Sequence, residues 1–204
     1  MKKLFFGAFC AAAMLLTGCK GDDIPVEVAG NTATVCGTAI TFPDGWSITS
    51  GDALYEELAS MSGVTADEFE EIKSAEGITY FVQATAQDNS AIAVISAQDI
   101  TPADGEEPIS FADHARTTHD SMIFEYLASG YRTGDDSSFS EVEYGGKSGY
   151  LSHFEVFTKS EEPEFCLGFS EFSFQQDELI YTVQMCYFDR QLKQEAQSVI
   201  DSIT

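Results

Sequence analysis

The sequence predicts an α+β domain in which an antiparallel β-sheet is covered by helices, and three observations predict it. Stretches that alternate apolar and polar residues recur between residues 34 and 188, most of them joined by loops of hairpin length. Segments of helical period, opened by recognisable caps, interrupt them. Apolar residues make up 44% of the chain and aromatics 12%, enough to build a core beside 34 acidic side chains. The expected order is ββααββαββββα, in a single domain over residues 34–204.

The stretch 34–42 alternates and runs into Phe42-Pro43-Asp44-Gly45-Trp46. Proline presets φ for a turn and Asp-Gly completes it, so Trp46 starts a second short strand and the domain opens on a hairpin. Leu54, Leu58 and Met61 then recur at helical spacing after Asp52, and Gly63 stops that helix. The next start is sharply marked: Thr65 is an N-cap, Glu68 completes a capping box, and Val64 is placed to staple Phe69. Phe69 and Ile72 are expected to point inward, and Gly77 ends the helix.

From Ile78, the alternation of Tyr80, Val82 and Ala84 with polar neighbours, and the apolar run Ala91–Ala97 beyond Asp88-Asn89-Ser90, read as an antiparallel pair. Ser110 and Asp113 box the start of the longest helix, whose stripe Phe111, Ala115, Met122, Ile123 and Tyr126 should face a sheet before Gly130 closes it. Four strands are expected at 139–144, 149–158, 164–174 and 178–188. Gly145-Gly146, Glu161-Glu162-Pro163 and the turn from Gln175 to Asp177 separate them, so neighbours are antiparallel. Asp189 can cap a last helix lined by Leu192, Ala196, Val199 and Ile203.

Ahead of this domain stand Lys2 and Lys3, an uncharged run from Leu4 to Leu16, and Thr17-Gly18-Cys19. The run is shorter than the ~20 residues a membrane-spanning helix needs and suits a cleaved export signal over residues 1–18. Leu16-Thr17-Gly18-Cys19 resembles the bacterial lipobox, which implies a diacylated Cys19 as the first residue of an exported chain. Acyl burial contributes about 0.8 kcal/mol per CH₂, and two chains give stable anchoring. Residues 19–33 are expected to be a flexible tether reaching roughly 20 Å. The expected location is a bacterial cell membrane or outer membrane, facing away from the cytoplasm.

With 10 Lys+Arg against 34 Asp+Glu, the formal charge is −24. That excludes nucleic acid as a partner bound through a basic face, since such affinity comes from cations neutralising phosphates. It also sets the domain against an anionic leaflet, leaving the lipid to hold it there.

Cys10 belongs to the signal and Cys19 to the anchor, so Cys36, Cys166 and Cys186 remain in a compartment that permits disulfides. A hairpin centred on Gln176 sets Cys166 opposite Cys186, either as a cross-strand disulfide or as two reduced thiols. Cys36 shares the alternation of Ile40 and Phe42 and is expected to be a buried, inert thiol.

The leading hairpin with Phe42-Pro43-Asp44-Gly45-Trp46, the long helix, the turn Val142-Glu143-Tyr144-Gly145-Gly146-Lys147-Ser148-Gly149-Tyr150 and the terminal Ile200-Asp201-Ser202-Ile203 resemble the PsbP-like fold superfamily. Its members include an extrinsic photosystem II subunit, a Ran-binding nuclear import factor and many bacterial lipoproteins. The resemblance spans residues 34–204 and implies an α/β/α sandwich and an accessory or protein-binding role without catalysis. It carries over no functional residue, because the matched positions are turn and core positions.

Gly145-Gly146-Lys147-Ser148 is not a phosphate loop: position 141 is Glu where glycine is required, and a strand follows instead of a helix. His114 and His119 are five residues apart, so they do not share a helix face as an i, i+4 pair does, and His153 stands alone. No G-x-S-x-G elbow is present, and no enzyme is expected. Asp104, Glu106, Glu107, Asp135 and Asp136 are the candidates for weak Ca²⁺ binding, although no segment has the alternating ligands of a calcium loop. Phe165, Phe169, Phe172 and Phe174 occupy both alternation parities, so either a helix covers each sheet face or an apolar patch awaits a partner. The leading expectation is a membrane-tethered, non-enzymatic accessory or protein-binding module. The alternative is a divalent-cation or small-ligand binder using the acidic loops.

Overall fold

The computed structural model describes residues 24–102 and 107–204, apart from the side chains of residues 74 and 76. The expected signal segment, Cys19, Asp104 and Glu106 lie outside the described residues. In chain order the elements are β1 (Val26–Ala29), β2 (Thr32–Val35), β3 (Thr38–Thr41), β4 (Ser47–Ser50), α1 (Asp52–Ser62), α2 (Ala66–Glu76), β5 (Ile78–Thr85) and β6 (Ala91–Asp99). Then follow α3 (Phe111–Ala128), β7 (Tyr131–Thr133), β8 (Ser138–Tyr144), β9 (Lys147–Thr158), β10 (Phe165–Gln176), β11 (Leu179–Tyr187), a 3₁₀ turn (Arg190–Leu192) and α4 (Lys193–Asp201).

The predicted α+β class is what forms. The large sheet runs β4-β5-β6-β11-β10-β9-β7, with β8 also paired to β9, and a small sheet runs β1-β2-β3. All pairings are antiparallel. One face of the large sheet presents Phe172, Phe174, Val183, Met185 and Tyr187 to α4 and the small sheet, whose Ile40 and Phe42 join Val199, Ile200 and Ile203 in one core. Full burial of each large apolar side chain contributes about 1.5–3 kcal/mol. On the other face, Met122 and Tyr126 of α3 pack on Phe154, Leu167 and Phe169, while Leu54, Leu58 and Phe69 of α1 and α2 pack with Tyr80. Both parities of the phenylalanine-rich strands are therefore covered.

Local signals explain the helix starts. Ser110 Oγ accepts from Asp113 N at 3.1 Å, and the Thr65 box closes in both directions, with Thr65 N on Glu68 Oε2 at 2.8 Å and Glu68 N on Thr65 Oγ1 at 3.3 Å. Phe69 is buried as expected, but Ile72 is 47% exposed because α2 touches the sheet along a narrower stripe.

Three further expectations are corrected. The tether assigned to 19–33 contains β1, since Val26 and Val28 alternate with Glu27 and the chain turns at Gly30-Asn31 to pair β1 with β2. The strand 34–42 is two strands: Cys36 and Gly37 both take positive φ, 49° and 75°, which is the signature of a two-residue I′ turn. Cys36 thus sits half-buried at a turn rather than inside the core. Last, Cys166 does not face Cys186. The β10–β11 turn closes on Asp177-Glu178, with Asp177 at φ 57°, so Phe169 faces Cys186 while Cys166 sits at a bulge against β9. Cys36, Cys166 and Cys186 are free thiols.

The chain end is stitched to the small sheet. Ala39 N donates to Thr204 O at 3.0 Å and Thr204 N to Ala39 O at 3.1 Å, and Thr41 N donates to Ser202 Oγ at 2.9 Å. No described helix is long and apolar enough to cross a membrane.

Candidate functional site

Among the described residues, a group of interacting titratable side chains lies where β9, the β7–β8 loop and the C-terminal segment meet. Glu155, Gly168 and Tyr187 form one cross-strand row over β9, β10 and β11. A Cβ at Gly168 would lie 1.8 Å from Tyr187 Cζ. Only glycine lets the ring lie across β10, and the Tyr187 hydroxyl thereby donates to Glu155 Oε1 at 3.2 Å.

Glu155 is fully buried, and two cations from the C-terminal segment reach it. Arg190 Nη2 is 3.0 Å from Glu155 Oε2, and Lys193 Nζ is 3.2 Å from Oε1. The first is an ionic contact without hydrogen-bond alignment, for Glu155 Oε2 accepts no hydrogen bond. Lys193 Nζ also donates to Asp136 Oδ2 at 2.6 Å, tying α4 to the β7–β8 loop. That hydrogen bond holds the Asp136 carboxyl below the usual carboxylate range. Burial works against the Lys193 charge, but its bonds to Asp136 and Glu155 prevail and raise its pKa.

His153, on the same strand face as Glu155, shares a 2.9 Å hydrogen bond between Nδ1 and Ser170 Oγ. Its Nε2 is buried, has no hydrogen-bond partner and lies 3.6 Å from Asp136 Oδ2. Burial, and then the neighbouring Lys193, lower the His153 pKa. Asp136, His153 and Glu155 bring their polar atoms within 4.8 Å of one another, a grouping that a cation can fill. The Lys193 ammonium reaches two of the three, Asp136 and Glu155, and with Arg190 it balances the two carboxylates.

On the opposite face Glu171 is 6% exposed. It accepts from Gln184 Nε2 at 2.9 Å and from Ser173 Oγ at 3.2 Å. Burial raises its pKa. Ser152, its partner on β9, shares a 2.7 Å hydrogen bond with His119 Nδ1. Both histidine-bonded serines, Ser152 and Ser170, are buried at 3% and 4% exposure, so neither hydroxyl is presented to an incoming substrate.

Of the acidic candidates, Asp136 enters the cluster, Asp135 beside it is exposed, and Glu107 is exposed in the segment before α3. His114, His119 and His153 do not converge: the first two are on α3, and His153 is on the far face of the sheet. Gly145 and Gly146 form the β8–β9 turn with φ of 57° and 74°. Sequence reasoning missed Glu155, Tyr187, Arg190 and Lys193. The one available signal was an acid set between Phe154 and Val156 in a strand-like run.

The sheet order and the helices on both faces define a layered α+β domain. The chain is similar in fold to the cyanobacterial PsbP protein CyanoP from Synechocystis, with 11% identity, a TM-score of 0.51 and coverage of 93% of this chain and 98% of that one. LpqN of Mycobacterium tuberculosis, described as involved in cell envelope biogenesis, gives 12% identity and a TM-score of 0.44, covering 90% of this chain and 92% of its own. A Pseudomonas aeruginosa protein of unknown function gives 12% and 0.39, covering 89% of this chain and 96% of its own. No protein-family model and no curated protein matches the sequence.

Proposed function

We propose that this protein is an exported lipoprotein whose PsbP-like domain serves as an accessory, protein-docking module without catalysis. The observation that carries the reading is Leu16-Thr17-Gly18-Cys19 behind a basic start and an uncharged run. Two acyl chains on Cys19 would anchor the domain, and its acidic surface would keep it off an anionic leaflet and free to meet a partner. The buried serines and the internally balanced charge cluster suit a body that docks rather than reacts.

The test is mass spectrometry of the membrane-associated protein with a Cys19→Ala comparison. A diacylglyceryl mass on Cys19, lost together with membrane association in the variant, is the expected result. An unmodified Cys19 in exported protein overturns the reading.

A further inference from the structure

We propose that the cluster around His153 is a proton-operated latch, in which acidification moves Asp136 from Lys193 to His153 and so unties the β7–β8 loop from α4. The argument begins with charge counting. With a neutral imidazole, Asp136 and Glu155 face Arg190 and Lys193, two against two. A proton on His153 makes three cations for two carboxylates.

Geometry decides which contact yields. The groups around His153 are Asp136 from the β7–β8 loop, Ser138 opposite it on β8, Glu155 on its own strand, Ser170 on β10, Tyr187 on β11, and Arg190 and Lys193 from the C-terminal segment. In the imidazolium both ring nitrogens carry protons, so Nδ1 donates to Ser170 Oγ and Nε2 turns its proton toward Asp136 Oδ2 at 3.6 Å. Lys193 Nζ holds that same oxygen at 2.6 Å. The proton and the ammonium thus compete for one atom, and by linkage each weakens the other's hold. Glu155 stays with Arg190 and Tyr187. Lys193 gives way because its side chain is 42% exposed, and its flexible stem can carry the charge into water.

Burial of His153 and the neighbouring Lys193 keep the imidazole neutral at pH 7, so the latch is closed there. It opens below the ordinary histidine range of about 6.5.

Amide hydrogen exchange on the whole exported chain, corrected for the intrinsic pH dependence, tests this at about pH 7.5 and about pH 5. The expected result is exchange in residues 134–138 and 190–196 faster by about tenfold at the lower pH, the equivalent of one pK unit of coupling. His153→Gln, neutral at both pH values and still able to bond Ser170, should lose this response. Asp136→Asn should exchange fast at both. An unchanged response in His153→Gln would assign the effect to His114 or His119 and overturn the proposal, as would an absent response in the unsubstituted protein.

Discussion

Glu155 and Glu171 lie on adjacent strands and are hidden to a similar degree, yet the fold treats them in opposite ways. Glu155 points to the α4 face near the sheet's end, where Arg190 and Lys193 arrive from a short 3₁₀ turn and a glycine admits the Tyr187 hydroxyl. Glu171 points to the other face in mid-sheet, where Gln184 and Ser173 supply neutral hydrogen bonds. Charge can be kept inside a protein when long cationic side chains reach it from the rim. Farther in, the carboxyl is pushed toward its protonated form instead.

The largest effect that would break this contrast is removal of both cations from Glu155. Arg190→Met combined with Lys193→Met leaves a buried carboxylate opposite a tyrosine alone, and should cost about 3 kcal/mol in urea unfolding at pH 7, a figure reduced for the water that can enter once the exposed cations are gone. A loss no larger than that of a surface double variant would mean that Glu155 does not depend on them. Gly168→Ala comes next. Its methyl group collides with the Tyr187 ring, so a loss of about 2 kcal/mol is expected. Near-UV circular dichroism should report the displaced tyrosine.

Glu171→Gln should give the smallest change and the opposite sign. Because burial raises the folded pKa of Glu171 above its unfolded value, the native state holds the extra proton, and stability declines as pH rises from about 4.5 through the folded value. The glutamine variant escapes that decline. It should match the parent near pH 4 and exceed it at pH 8 in thermal unfolding. A variant that is weaker at both would show the carboxylate to be well satisfied as an anion.

Much of the fold was legible from residues alone. The Thr65 and Ser110 boxes, the Gly145-Gly146 turn and the apolar stripes of α3 and α4 each depend on interactions a few residues apart. What failed depended on longer range or on one residue of register. Alternation through residues 34–42 could not reveal that Cys36 bends backward in the left-handed region. Asp177 shifted the last hairpin enough to separate two cysteines. The charge cluster was invisible for a related reason. Asp136, His153, Tyr187 and Lys193 meet only because β10 lies between β9 and β11, and no local pattern encodes that neighbour order.

The small sheet carries a mechanical consequence. β1 is its outermost strand, held through four residue pairs to β2, while β3 is stitched to the chain end through Ala39 and Thr41. Were the chain tethered as proposed, a pull on Ile24 would reach the four β1–β2 pairs before any other element. Ile24 and Val26 also pack against the main core, so a load there would meet side-chain burial as well as the strand ladder.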